Sequence, residues 1–165
     1  MVKWFLFPWS KNLSGRNLSG ENLRGANLQG VNLSNAILIG TDLTRADLSL
    51  LASGRDYHSS DLSNANMRAS TLRLADLGGA NLSGAVLDGA NLRMCDLERA
   101  DLIAASLVEA SLMDADLSHT NFNLANLDKA NLDRVNCTDG NFVEATLRNA
   151  SLMEAKLSGT DLHDA

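Results

Sequence analysis

Apolar residues recur at every fifth position of this chain, and the positions between them are small or polar. Leucine fills Leu13, Leu18, Leu23, Leu28, Leu33, Leu38, Leu43 and Leu48, then resumes at Leu62 and runs to Leu162. Of the 29 positions in this series, 25 are Leu, and the exceptions are Met67, Phe122, Cys137 and Phe142. Two residues before each stands a small residue, usually Ala (Ala26, Ala36, Ala46, Ala75), and one residue before stands Asn or Asp in most cases. The unit is therefore A-(N/D)-L-x-x. A repeat of this kind decides the architecture before any single residue does.

A five-residue period fits neither regular element. On an α-helix, positions five apart lie about 140° out of register, so the leucines would spiral and form no stripe. On a flat strand an odd period flips the face at each repeat. The chain must instead turn a corner in every unit, with Ala and Leu pointing to one side as alternate residues of a strand do. The two residues after Leu make the bend. Nine of the 12 glycines occupy the second of those positions, and Asn35, Asn64 and Asn149 share it. Gly and Asn tolerate the positive φ that tight turns require.

The exceptions indicate how many corners close a coil. Phe122 and Phe142, the two Phe in the series, are 20 residues apart. Four units per coil would stack one upon the other. Volume is also traded within units: Gly140 precedes Phe142, and Val135 precedes the smaller Cys137. Close-packed interiors make such trades matter. The pattern predicts an all-β, four-sided solenoid of about seven coils with Leu and Ala filling its axis, on the order of 35 Å long at about 4.8 Å per coil.

The run ANLSGAVLDGANLRMCDLERADLIAASLVEASLMDADL, residues 80–117, resembles the pentapeptide-repeat family. The resemblance extends over residues 11–164 except 49–60. It implies a right-handed quadrilateral (square) β-helix solenoid, with the handedness supplied by the family and not by the period. It also implies a scaffold or regulator without catalytic activity. An alternative from the same family is a DNA-mimicking inhibitor or protector of DNA gyrase, similar to the quinolone-resistance members.

Three departures divide what reads as one structural domain. Residues 1–10 hold both Trp, two of the four Phe and the single Pro. Trp4, Phe5, Phe7 and Trp9 are read as an aromatic cap over an otherwise open β-helix end, which would expose strand edges. Self-association and contact with a membrane surface are the other readings, and the segment lacks the features of a signal peptide. Lys11, Arg16 and Glu21 stand in slots that are inward elsewhere, which predicts an incomplete or splayed first coil. Residues 11–48 form a first repeat segment and 61–165 a second. Between them, 49–60 (SLLASGRDYHSS) breaks the phase, and deleting nine residues would restore it. A loop projecting from a corner is expected there, carrying Arg55, Asp56, Tyr57 and His58 either for recognition or as a tolerated insertion. At the far end the repeat continues to Leu162 without a visible cap, so a two-fold homodimer through that end is possible.

Charge narrows the partners. The net charge is −6, but residues 1–60 carry six Lys/Arg against four Asp/Glu, and residues 61–165 carry eight against sixteen. That balance argues against direct nucleic-acid binding, which needs cations against phosphate. It leaves open a protein partner with a basic surface, or an acidic rod that resembles nucleic acid. Sorted by face, the residues before each Leu read Asp76, Asp96, Asp116, Asn136, Lys156 on one side and Asp61, Asn81, Asp101, Asn121, Asn141, Asp161 on the next. The Asp76–Asp96–Asp116 column is either a negative ridge for that partner or a solvated slot that accepts Asn and Asp equally.

Chemistry is absent from the pattern. Cys95 and Cys137 fall on inward positions about 10 Å apart along the axis, too far for a disulfide. Reduced, buried thiols agree with a cytoplasmic protein. No run is apolar and long enough to span a membrane. His58, His119 and His163 lie on different parts of the rod, no set has metal-ligand spacing, and phosphate-binding glycine motifs are missing. The nearest polar group is Asp56, His58 and Ser59. The reading is no enzyme, no cofactor and no metal; a transfer or hydrolytic activity abolished by His58→Ala would overturn it.

Overall fold

The computed structural model describes residues 12–53 and 56–165. In each unit the residue before the leucine makes a parallel bridge to its counterpart one coil away. One ladder runs Asp61, Asn81, Asp101, Asn121, Asn141, Asp161, and three similar ladders form the other sides. Bridged partners are 20 residues apart, which is four units. The bonds alternate in direction: Leu82 N donates to Asp101 O at 2.7 Å, and Asn81 N donates to Ser60 O at 2.9 Å. Backbone polar groups on the faces are thereby paired between coils and not within an element.

The corner explains the rest of the unit. The residue after each bend donates back to the leucine carbonyl, as Ala85 N does to Leu82 O at 2.9 Å. The second residue after the leucine has positive φ, for example +66° at Gly84 and 55° at Ala104. A positive φ at the third residue of a four-residue turn is the type II signature. Asn or Asp before the leucine closes the same corner from outside. Its Oδ1 accepts the backbone N–H two residues on, as Asn81 does from Ser83 at 3.0 Å and Asp96 from Glu98 at 2.9 Å. That Asx-turn bond is why the slot prefers these two side chains.

Inside, the leucines of the five-residue series from Leu33 to Leu132 and the alanines two residues before them are buried. Phe122 and Phe142 stack with ring centroids 4.7 Å apart and 17° between planes. Gly140 leaves room beside them: a Cβ there would lie 3.0 Å from the Cys137 carbonyl oxygen and 3.1 Å from Phe142 Cε2. Where Ser or Thr replaces Ala inside, its hydroxyl donates to a main-chain carbonyl. Thr41 bonds Leu18 O at 2.8 Å, Thr120 bonds Leu97 O at 2.8 Å and Ser60 bonds Leu28 O at 3.0 Å. No buried hydroxyl among these is left to cost its desolvation. Cys95 and Cys137 are buried free thiols. Burial first, with Asp116 adding to it, pushes the Cys137 thiol up to about 12; burial and Asp96 push Cys95 up as well.

Two expectations change. The first coil is not splayed: Asn12, Asn17, Asn22 and Asn27 bridge Asn32, Ile37, Asp42 and Asp47 in register. Main-chain pairing with the next coil does not depend on an inward side chain, so Arg16 stays exposed without opening the ladder. At the phase break, bridges such as Asn32 to Asp61 and Asp47 to Asp76 join residues 29 apart. The intervening chain is not a bare loop. It pairs as an antiparallel hairpin, β1 (Leu51–Ser53) with β2 (Asp56–His58), in the register Leu51 to His58, Ala52 to Tyr57 and Ser53 to Asp56. The hairpin leans on Gly30, where a Cβ would meet Leu51 Cβ at 3.1 Å and His58 Cβ at 3.3 Å. Trp4, Phe5, Phe7, Trp9 and Lys11 lie outside the described residues, as does Arg55, so the aromatic cap and the self-association surface expected there stand as sequence readings.

Candidate interaction surface

Three surface features stand out on the ladder framework. The first is the column Asp47, Asp76, Asp96, Asp116, each bridged to the next. Its carboxylates cap their own corners: Asp76 Oδ1 accepts from Gly78 N at 3.0 Å and Asp116 Oδ1 from Ser118 N at 2.9 Å. Among the described residues no Lys or Arg lies within ion-pair distance of these four. Burial, and then the charges of Asp96 and Asp47, hold the Asp76 carboxyl above the ordinary carboxylate range. Like charges stacked one coil apart are unfavourable.

The second feature is the corner just before that face. It carries Arg45, Arg73 and Arg93 in successive coils, since Arg45 N donates to Arg73 O at 3.0 Å and Leu74 N to Arg93 O at 3.1 Å. Further along, Arg134 makes a two-pronged pair with Asp114 at 2.7 and 3.0 Å, and this holds the Asp114 carboxyl below its usual range. The sequence reading sorted only the residues before each leucine and missed this edge. Sorting the two residues after each leucine by the same four-unit rule would have shown it.

The third feature is the hairpin and the notch at its base. Tyr57 is 68% exposed, and His58 is exposed beside it; the side chain of Asp56 is not among those described. Consecutive Gly78 and Gly79 leave a notch of about 210 Å³ lined by Leu50, Asp96, Glu98 and Arg99, with Arg99 paired to Glu98. Asp96 therefore shares a notch with Leu50, inside the phase break, whereas Leu51 and His58 sit over Gly30. The acidic column and the Gly30 side of the hairpin do not form one site.

At the far end the leucines open. Leu157 is 39% and Leu162 41% exposed, and with Leu147 and Leu152 they line a hollow of about 640 Å³ that also includes Arg148 and Asp164. Among the described residues no group of three or more His, Cys, Asp or Glu side chains could hold a metal ion, and no helix is long and apolar enough to cross a membrane. His58, His119 and His163 stay apart; His119 Nδ1 stands 3.8 Å from Asp139 and His163 beside Asp164, both on the exposed surface.

The fold is shared with known structures. A trypsin-treated variant of QnrB1, a plasmid-mediated fluoroquinolone resistance protein, is similar with a TM-score of 0.64 at 20% identity, over 88% of this chain and 73% of that one. A second trypsin-treated QnrB1 variant gives 0.60 at 22%, over 88% and 74%. Rfr23, a pentapeptide repeat protein from the cyanobacterium Cyanothece 51142, gives 0.52 at 25%, over 92% and 88%. These pentapeptide repeat proteins form right-handed quadrilateral β-helices. Among curated protein sequences, none matches this chain. The profile of the pentapeptide repeats (8 copies) matches residues 12–49, 60–99, 95–134 and 130–165, so the chain belongs to the pentapeptide-repeat family.

Proposed function

We propose that this protein is a non-catalytic interaction scaffold: a rigid rod of about seven four-unit coils that presents charged edges and a hairpin to another protein. The observation that carries this reading is the Asp47–Asp76–Asp96–Asp116 column, a line of carboxylates with no cation of their own among the described residues. A basic protein surface would relieve their mutual repulsion. Two reduced, buried thiols suit a cytoplasmic setting. The test is capture of a partner by the wild type and by a variant with Asp76, Asp96 and Asp116 all changed to Lys. A partner lost by the variant supports the acidic face. One kept by both moves the site to Tyr57 and His58 or to the rod ends. Nothing captured by either removes the scaffold reading.

A second reading is a DNA-mimicking protector of gyrase, favoured by the fold shared with a fluoroquinolone resistance protein and by the net charge of −6. The arginine edge interrupts the negative surface that a DNA mimic would need. Inhibition of supercoiling at micromolar protein supports this reading, and no effect at tens of micromolar rejects it. Homodimerisation through the far end would cover Leu157 and Leu162; being apolar, it should persist at about 1 M salt, and Leu157→Asp with Leu162→Asp should remove that salt-resistant association in sedimentation.

A further inference from the structure

We propose that two copies of this chain also pair side by side, with their rods parallel, through the arginine edge of one and the aspartate column of the other. This goes beyond the scaffold reading, because the occupant is the chain itself.

Arg45, Arg73 and Arg93 stand at the corner that leads into the face carrying Asp47, Asp76 and Asp96. The two lines run together along the axis, and three successive coils contribute one member to each; in the next coil Asp116 follows a corner of Met113 and Asp114. Among the described residues the only ion pair made by either line is the long one between Arg93 and Asp114. Among the described residues Arg45 and Arg73 have no carboxylate within 4.0 Å, Arg73 reaching instead toward the Met94 sulfur at 3.8 Å, and Arg93 pairs with Asp114 at 4.0 Å. Among the described residues the aspartates have no cation within that distance.

Adjacent lines of opposite sign make the strip self-complementary under one symmetry. A two-fold axis parallel to the rods, lying between two facing copies, exchanges left and right but preserves height along the axis. It sets the partner's arginine line against this copy's aspartate line, and the reverse, in the same register. Arg45 then faces the level of Asp47, Arg73 that of Asp76 and Arg93 that of Asp96. A two-fold axis across the rods would put like charges together and is excluded. The isologous arrangement is the usual one for a homodimer.

A strip of three residue pairs is small beside the about 20–30 residues a side and roughly 800 Å² per partner of stable interfaces. The dimer is therefore weak, fast and dependent on salt. Sedimentation velocity over a concentration series tests it. At about 0.1 M salt, where screening acts over about 10 Å, pairs in contact persist; at about 1 M the range falls to about 3 Å. The wild type should associate in the first and at least fivefold less in the second. Arg73→Glu with Arg93→Glu should abolish association, as should Asp76→Arg with Asp96→Arg. An equimolar mixture of these two variants should restore it, because every facing pair is then opposite in sign. Arg73→Gln with Arg93→Gln, a milder change, should weaken association if the charge reversals fail to fold. Leu157→Asp with Leu162→Asp should leave it intact. A monomer at all concentrations, a dimer indifferent to salt and to the reversals, or a mixture that stays monomeric would each overturn the proposal. None of these results touches the scaffold reading, which stands or falls on capture of a different protein.

Discussion

The middle of the rod and its last units share one repeat and differ in what the repeat achieves. Leu102 and Leu107 are completely buried, whereas Leu157 and Leu162 are 39% and 41% exposed. The local turns are the same: Ala105 N donates to Leu102 O at 3.0 Å, and Ala165 N to Leu162 O at 3.1 Å. The difference is the neighbouring coil. A unit supplies a corner and an inward Leu, but burial of that Leu needs a coil on both sides, which is how solenoids distribute stability.

The largest test of this contrast is truncation of the same side chain in both places. Leu102→Ala should cost about 2–5 kcal/mol, the range for a buried leucine that leaves a cavity. Leu157→Ala should stay near the roughly 0.5 kcal/mol of surface changes. Urea denaturation of the two variants checks both, and equal losses would mean that the end is covered in solution.

A smaller effect comes from the stacked rings. Gly140→Ala should destabilise by about 1–3 kcal/mol, because the new methyl meets a carbonyl oxygen and the Phe142 ring. In a Phe142→Leu background the ring contact is gone and the cost should shrink. A double-mutant cycle reads the difference, and additivity would show that the carbonyl contact alone matters.

Two adjacent alanines should respond with opposite signs. Ala104 sits at a corner with φ 55° and is exposed, and Ala105 points inward and is 1% exposed. Ala104→Gly should stabilise by up to about 1 kcal/mol, since a left-handed conformation strains any residue with a Cβ. Ala105→Gly should destabilise by about 1 kcal/mol or more, through lost burial and added chain entropy. Thermal melts of the pair give the comparison directly, and a loss in both would reject the strain argument.

The smallest effect lies on the acidic column. Asp76 has a carboxyl raised by burial and by Asp96 and Asp47. The folded state therefore holds its proton more tightly than the unfolded chain does. The stability linked to that proton is present below the ordinary carboxylate range and is lost as pH rises through the raised value. Asp76→Asn keeps the acceptor for Gly78 N and removes the charge. It should gain a few tenths of a kcal/mol near pH 7, within the ~0.2–1 kcal/mol range of cross-strand pairs, and nothing at pH 3. Denaturation at the two pH values decides it.

Much of this fold is legible in the sequence because the same five residues solve the same local problem in every unit. Ala and Leu go in, Asn or Asp caps the corner, and Gly or a tolerant residue takes the positive φ. The four-unit coil is legible from Phe122 and Phe142, whose stacking requires it. The acidic column is legible as well, since sorting by four units places Asp76, Asp96 and Asp116 together. The arginine edge needed the same sorting at the corner positions.

What the sequence does not determine is how neighbours compensate for units that break the rule. Ser106 and Ser151 lack the capping carboxamide or carboxylate, and an aspartate one coil below supplies it. Asp88 accepts from Val108 N at 3.3 Å and from the Ser106 hydroxyl, and Asp133 accepts from Met153 N at 2.9 Å and from the Ser151 hydroxyl. Likewise, a run that reads as a loop becomes a hairpin because Gly30, one coil away, leaves room for Leu51 and His58. The repeat is local and is set by residues within one turn of each other. Compensation, hairpin docking and the burial of each leucine depend on the coil that stacks alongside, and only the folded chain brings that coil into contact.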